Sequence, residues 1–205
     1  MTGVSALFVC TANICRSPTL AFMAGQSGAV RATSAGMRAR SGSAMCRMAA
    51  LSIASFEGGQ AYAESFRSRT VQGLDVNEFD LVFTATRAMR AELIRSNPLL
   101  RGRIFTVREA AALGQYSLTA GEAYSLLEYG PATVLAARRG SVAAPRARSR
   151  WVRDASDPFD LPDAHNDRRE KRHRATVRMS LDAGAELGAA LLAWHAAAPG
   201  LAESG

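Results

Sequence analysis

The sequence has almost no lysine, few cysteines and no long apolar run. Lys171 is the single lysine among 25 basic residues, so the formal charge of +7 rests on arginine. Such a bias, accompanied by abundant alanine, follows genomic base composition as readily as function. It still favours anionic ligands, because a planar guanidinium can bind two phosphate oxygens at once. Three cysteines, an odd number in 205 residues, do not make a disulfide framework, and reduced, reactive thiols are expected. No stretch approaches the roughly 18 apolar residues of a membrane span. The opening MTGVSALFVC has neither a basic start nor a cleavage-site pattern, so a cytoplasmic protein without membrane association is expected. The arginines come with neither zinc-finger spacing nor an aromatic RNA-binding motif, which argues against nucleic acid as the partner.

What is present is enough apolar sequence, 48% of the chain, to bury the core of one domain. Ala6 to Cys10 reads as a short buried strand, and Pro18 sits in the first turn of a following helix, where its missing N–H costs nothing. VRATSAG (30–36) reads as a second strand ending in a glycine turn, and Ser43 to Ala54 as a helix carrying Cys46 on its core side. FDLVFTAT (79–86) is the clearest later strand, RAMRAELIRSNP a helix that stops before Pro98, and GRIFTV (102–107) another strand. Strands alternating with helices predict an α/β fold. We expect a single doubly wound domain over residues 1–205, with a central, mostly parallel, roughly four-stranded sheet flanked by helices. A basic, loop-rich insertion is expected around 114–156, and a long helix around 168–197 with Val177, Leu181, Leu187, Leu191 and Trp194 recurring as a core stripe.

The chemistry concentrates in LFVCTANICRSP (7–18). A loop from Cys10 to Arg16 between a strand and a helix can turn several backbone N–H groups to one point at the positive end of a helix dipole, which makes an anion site. The same field favours the thiolate of a cysteine placed there. Arg16 can close the loop with a fork that fits two oxygens of a tetrahedral dianion. Ser17 can donate a hydrogen bond to the sulfur, and Asn13 tolerates the left-handed backbone of a tight turn.

This stretch resembles the signature of the low-molecular-weight protein tyrosine phosphatases, a cysteine and an arginine with five residues between them, followed by Ser or Thr. The likeness extends through TSAGMRARSG (33–42) and FDLVFTATRAMRAEL to a late Asp-Pro-aromatic, and is greatest to actinobacterial members. It implies Cys10 as nucleophile, Arg16 as phosphate clamp, and a phosphate loop of Thr11, Ala12, Asn13, Ile14, Cys15 and Ser17 supported by Ser34. In SDPF (156–159) it implies Asp157 as general acid, set in extended backbone by Pro158, and Phe159 at the substrate rim; Asp154, Asp160 and Asp163 lie nearby. The implied reaction is hydrolysis of a phosphotyrosine protein or another aryl phosphate through a phosphocysteine, with no cofactor. Relatives also pair the cysteine beside the nucleophile with it in a reversible disulfide, here Cys10 with Cys15, making the enzyme redox-sensitive. Those acting on phosphoarginine tend to have threonine where Ile14 stands.

The chain departs from the family at Ala12, usually glycine; at Ala21, usually acidic; and at Asp160, often a second ring. These departures motivate a second reading, a weakly active or non-catalytic phosphate-binding protein. Thioredoxin-coupled arsenate reduction is a third, but its further cysteines are absent after Cys46. The segment before Asp157 is longer than the family implies. Its Arg138, Arg139, Arg146, Arg148, Arg150 and Arg153 suggest either a solvated face or a surface for an acidic partner. No short ligand spacing links the cysteines to His165, His173 or His195, so no metal centre is read.

Overall fold

The computed structural model describes residues 3–142, 157–164 and 170–203. Of the residues singled out above, Arg146, Arg148, Arg150, Arg153, Asp154 and His165 lie outside them. Strands β1 (Val4–Cys10), β2 (Val30–Gly36), β3 (Leu81–Thr84) and β4 (Ile104–Thr106) form a parallel sheet in the order β2-β1-β3-β4. Every residue of β1 except Ser5 is buried, the near-continuous apolar run of a strand covered on both faces. Phe8 and Phe83 meet across β1 and β3 with ring centroids 5.3 Å apart, both fully buried. Truncating either to alanine would cost about 3–5 kcal/mol, a large share of the roughly 5–15 kcal/mol by which a domain is stable.

The strand order reverses at β1, so the crevice at the carboxyl ends of β1 and β3 is where such a sheet receives ligands. Cys10 ends β1 there, opposite Gly36 of β2. Helices α1 (Arg16–Gly25), α2 (Arg47–Ile53), α3 (Gly59–Ser65), α4 (Arg87–Ser96) and α5 (Val107–Gly114) flank the sheet. The helix expected over Ser43 to Ala54 is shorter at its start. The chain from Met37 to Cys46 instead donates to the loop after β1: Met37 N to Cys10 O, Arg38 N to Thr11 O and Cys46 N to Ile14 O, at 2.8, 2.8 and 2.7 Å.

Within the segment read as loop-rich, α6 (Ala120–Tyr129) and α7 (Pro131–Ala137) form. A reciprocal capping box between Thr119 and Glu122 starts α6, satisfying two otherwise orphan donors. The last helix, α8 (Glu170–Glu203), runs six residues past the expected end at Ala197. It packs on α1, α5 and α6 and buries Val177, Leu187, Leu191 and Trp194. Gly184 permits this approach, because a Cβ there would lie 2.8 Å from the Leu20 carbonyl oxygen.

Two arginines of the basic segment are cross-links inside the fold. Arg138 binds Glu122 through both carboxylate oxygens at 2.6 and 2.7 Å, donates to the carbonyls of Leu113, Tyr116 and Ser117, and lies 4.9 Å over the Trp194 ring. Arg139 lies 4.3 Å over Phe105 and donates to the carbonyls of Arg101 and Ile104. Neither belongs to a free basic face.

The Arg138 hydrogen bonds hold the Glu122 carboxyl down, from the ordinary 4.5 to about 2. A carboxyl depressed by folding contributes stability that is complete above its unfolded value and disappears as pH falls through the folded one. The stability difference between the native protein and Glu122→Gln, measured by urea unfolding, should therefore be constant above about pH 5 and shrink from about pH 4.5 towards 2. A gap independent of pH would show that the charge pair contributes nothing.

Candidate active site

The loop of residues 11–15 is held open by bonds to its outside. The carbonyls of Cys10, Thr11 and Ile14 accept from Met37, Arg38 and Cys46, and the Cys15 carbonyl accepts from the Thr19 hydroxyl at 2.8 Å. With those carbonyls bonded elsewhere, the loop can offer its peptide N–H groups to an anion at the start of α1. Asn13, fully buried, takes the left-handed turn at φ 52° and is the one non-glycine residue with positive φ among the described residues. Ala12 does not require positive φ, so alanine brings no strain to the position where relatives carry glycine. Gly36 lies beneath the loop, where a Cβ would sit 2.7 Å from the Thr11 oxygen and 2.9 Å from the Asn13 nitrogen. Only glycine lets β2 approach so closely.

Side chains complete the ring. Asn13 donates from Nδ2 to Ser17 Oγ and Ser34 Oγ, both at 2.9 Å, and its Oδ1 accepts from Arg69 N at 2.8 Å. The Asn13 N–H lies 3.3 Å from Cys10 Sγ, and Ser17 Oγ lies 3.0 Å from the same sulfur and 3.2 Å from the Ala35 oxygen. Because Ser17 already accepts from Asn13, its single proton can go to the sulfur or to Ala35. Cys10 is 2% exposed and Arg16 is 4% exposed, so the guanidinium charge is poorly screened and its attraction for a dianion is correspondingly strong.

The segment from Asp157 to Ala164 is tied to this ring. Leu161 N donates to the Ala85 oxygen just beyond β3 at 2.8 Å, and Arg16 NH1 donates to the Leu161 oxygen at 3.0 Å. The other arm of Arg16 reaches Thr11 Oγ1 at 3.0 Å and Asp163 Oδ2 at 2.6 Å. A carboxylate thus occupies one side of the proposed phosphate clamp. Asp157 pairs with Arg87 at 3.0 Å and accepts from Phe159 N at 2.9 Å. Arg87 also lies 5.4 Å over the ring of Phe159, which is buried rather than open at the rim. Asp160 is buried too, and accepts from Arg87 N at 2.7 Å at the start of α4. Burial raises its carboxyl despite that hydrogen bond. Replacing the second ring, Asp160 ties this segment to a helix N-terminus, where an anion is favoured. Sequence reading did not single out Arg87; an arginine opening the helix after FTAT was its one visible trace.

Cys15 faces away from the hollow. Its sulfur is 3.3 Å from His173 Nε2 on α8, and Cys46, the N-cap of α2, lies 3.6 Å from the same nitrogen. Cys46 was expected as plain core. It is buried, but beside polar groups, and a hydrogen bond with Cys15, helped by Ala49 N–H and His173, lowers its thiol against the effect of burial. The Cys15 thiol is raised by the same bond and by burial. All three cysteines are free.

No curated protein sequence matches the chain. Among solved structures it is similar to the YwlE arginine phosphatase of Geobacillus stearothermophilus, at 17% identity over 91% of each chain with a TM-score of 0.55. It is similar to the tyrosine phosphatase Wzb of Escherichia coli K30 in complex with sulphate, at 14% identity over 92% of this chain and 98% of that one, TM-score 0.58. A low molecular weight protein tyrosine phosphatase of T. tengcongensis matches at 17% identity over 90% and 97%, TM-score 0.56. These likenesses establish the fold. In the described residues no helix is long and apolar enough to cross a membrane. The model of the family described as low molecular weight phosphotyrosine protein phosphatase matches residues 5–114, from β1 to the end of α5 and more than half of the chain. This protein therefore belongs to that family and is a cysteine-dependent phosphatase.

Proposed function

We propose that the substrate is phosphotyrosine in proteins, with Cys10 as nucleophile, Arg16 as clamp and Asp157 as general acid. The observation that carries the reading is the placement of Cys10 Sγ within reach of Ser17 Oγ and the Asn13 N–H, in a ring closed by Arg16. The Cys10 thiolate attacks phosphorus; the bond from phosphorus to the leaving oxygen breaks, and Asp157 gives that oxygen its proton. Water then attacks the phosphocysteine, Asp157 takes the water proton, and the sulfur leaves as thiolate with Ser17 donating to it. The N–H groups of Thr11, Ala12, Asn13, Ile14 and Cys15 and the Arg16 fork hold the phosphoryl oxygens, with Ser34 fixing Asn13. Ile14, in place of the threonine of phosphoarginine enzymes, and the Phe159 ring beside Asp157 support an aryl substrate. Release of Arg87 from Asp157 and Phe159 would uncover both the acid and the ring. A cytoplasmic location and a reversible Cys10–Cys15 disulfide belong to the same proposal; because Cys15 rests against Cys46 and His173, the disulfide requires its side chain to turn towards Cys10, and mapping after mild peroxide should find that pair, a Cys15–Cys46 product overturning it.

Cys10→Ser should abolish turnover of an aryl phosphate while calorimetry still detects phosphate, because Arg16 and the loop amides remain. Residual hydrolysis above about 1% of the native rate would remove Cys10 from its role. Asp157→Ala should slow a phosphotyrosine peptide by about 100-fold or more, the usual range of acid assistance, with a smaller loss on an activated aryl ester and little change in KM. Equal losses on both would exclude Asp157 as the acid, and faster hydrolysis of phosphoarginine than of phosphotyrosine would overturn the substrate.

Asp163 competes with phosphate for Arg16. Its side chain is 49% exposed while that of Arg16 is 4% exposed, so the pair is only partly screened and is worth about 1 kcal/mol, the upper end of the range for exposed pairs. Asp163→Asn should tighten phosphate binding by about 5-fold, less at high salt. Gly36→Ala should weaken phosphate binding far more than it lowers the melting temperature, since the added methyl meets loop backbone.

A further inference from the structure

Behind the phosphate loop the fold gathers two thiols and an imidazole from three separate elements. Cys15 Sγ and Cys46 Sγ lie 3.3 and 3.6 Å from His173 Nε2, and the three donor atoms all fall within 4.8 Å of one another. We propose that Cys15, Cys46 and His173 form a binding site for a thiophilic cation such as Zn²⁺, separate from the phosphate site and from Cys10.

The distances carry the proposal. With zinc–sulfur bonds of about 2.3 Å and zinc–nitrogen bonds of about 2.0–2.1 Å at tetrahedral angles, a sulfur and a nitrogen on one ion stand about 3.6 Å apart and two sulfurs about 3.8 Å. Both sulfur–nitrogen separations here are within a few tenths of an ångström of that edge. The donor set holds no oxygen, so it suits soft cations and not Mg²⁺ or Ca²⁺. Among the described residues the site has three ligands, which leaves a fourth coordination position open. On binding, the two thiols release their protons as metal–sulfur bonds form, His173 gives the Nε2 lone pair, and no electron changes hands.

The ligands are also held in place beforehand. Cys15 precedes α1, and its carbonyl is fixed by Thr19; Cys46 caps α2, and its N–H is fixed by Ile14; His173 lies in the first turns of α8. An ion there would pin α8 and α2 to the back of the loop while leaving its amide-lined front open. Sequence offers no ligand spacing because Cys15 and His173 are 158 positions apart.

The test uses the full chain, reduced with a phosphine, titrated with Co²⁺ for thiolate-to-metal charge-transfer absorption and with Zn²⁺ against a chromophoric chelator. One equivalent should bind with tetrahedral cobalt bands. Cys46→Ser and His173→Ala should each weaken binding by more than roughly 100-fold, since losing even a supporting hydrogen bond at such a site costs 10- to 100-fold. Cys10→Ser should bind as the native protein does. The proposal is overturned if no stoichiometric ion binds, if binding survives both His173→Ala and Cys46→Ser, or if Cys10→Ser abolishes it, which would place the ion on the nucleophile. If Cys46→Ser does not fold, as circular dichroism would report, His173→Ala decides alone. Absorbance reads the site without turnover, so failure of the phosphatase reading would leave this result standing.

Discussion

The carboxamide of Asn13 spans three pieces of chain, and the geometry of the active site hangs from it. From a buried left-handed turn it donates to Ser17 on α1 and Ser34 on β2, and accepts from the backbone at Arg69. Its four-way capacity is used in three bonds, all away from water, where an unmade one would cost about 1–3 kcal/mol. The turn aims its own N–H at Cys10, and the bond to Ser17 sets that hydroxyl beside the same sulfur. The environment of Cys10 is thus a consequence of how the loop is fastened to β2, and Gly36 lets that fastening be short.

Charge in the site is already balanced without substrate. Arg16 is met by Asp163, and Arg87 by Asp157. A buried guanidinium left alone would be costly, and a carboxylate from a neighbouring segment meets it. Asp163 is half exposed and binds through one oxygen, which makes it a weak competitor for a phosphate able to use the fork and the loop amides together. The same segment carries Phe159 and Asp157, and it is anchored through Leu161, which is bonded to both Arg16 and Ala85.

Local features were legible in the sequence and long-range ones were not. The apolar run before Cys10, the spacing from Cys10 to Ser17 and the turn-forming Asn13 all lie within a few residues of one another, and each sits where the pattern placed it. Strand alternation gave the parallel four-stranded sheet because a doubly covered strand must be apolar throughout. The hold of Asp163 on Arg16 joins residues 147 apart, and no local pattern records it. The arginines at 138 and 139 read as surface charge because composition cannot show that Trp194 and Phe105 lie beneath them. The departure at Ala12 brings no strain, because the left-handed turn falls on Asn13.

The phosphate loop works mainly through its backbone, and this frees its side chains. Amide groups bind the anion, so the side chains of Ala12, Ile14 and Cys15 are constrained only by size and by what lies behind them. At Cys15 the space behind holds Cys46 and His173, contributed by α2 and α8, and the start of α2 is positioned by the bond from Cys46 N to the Ile14 oxygen. A single turn of chain therefore presents peptide N–H groups to one side and a thiol to the other. Chemistry added on the thiol side leaves the anion-binding side unchanged, provided the Asn13 turn holds.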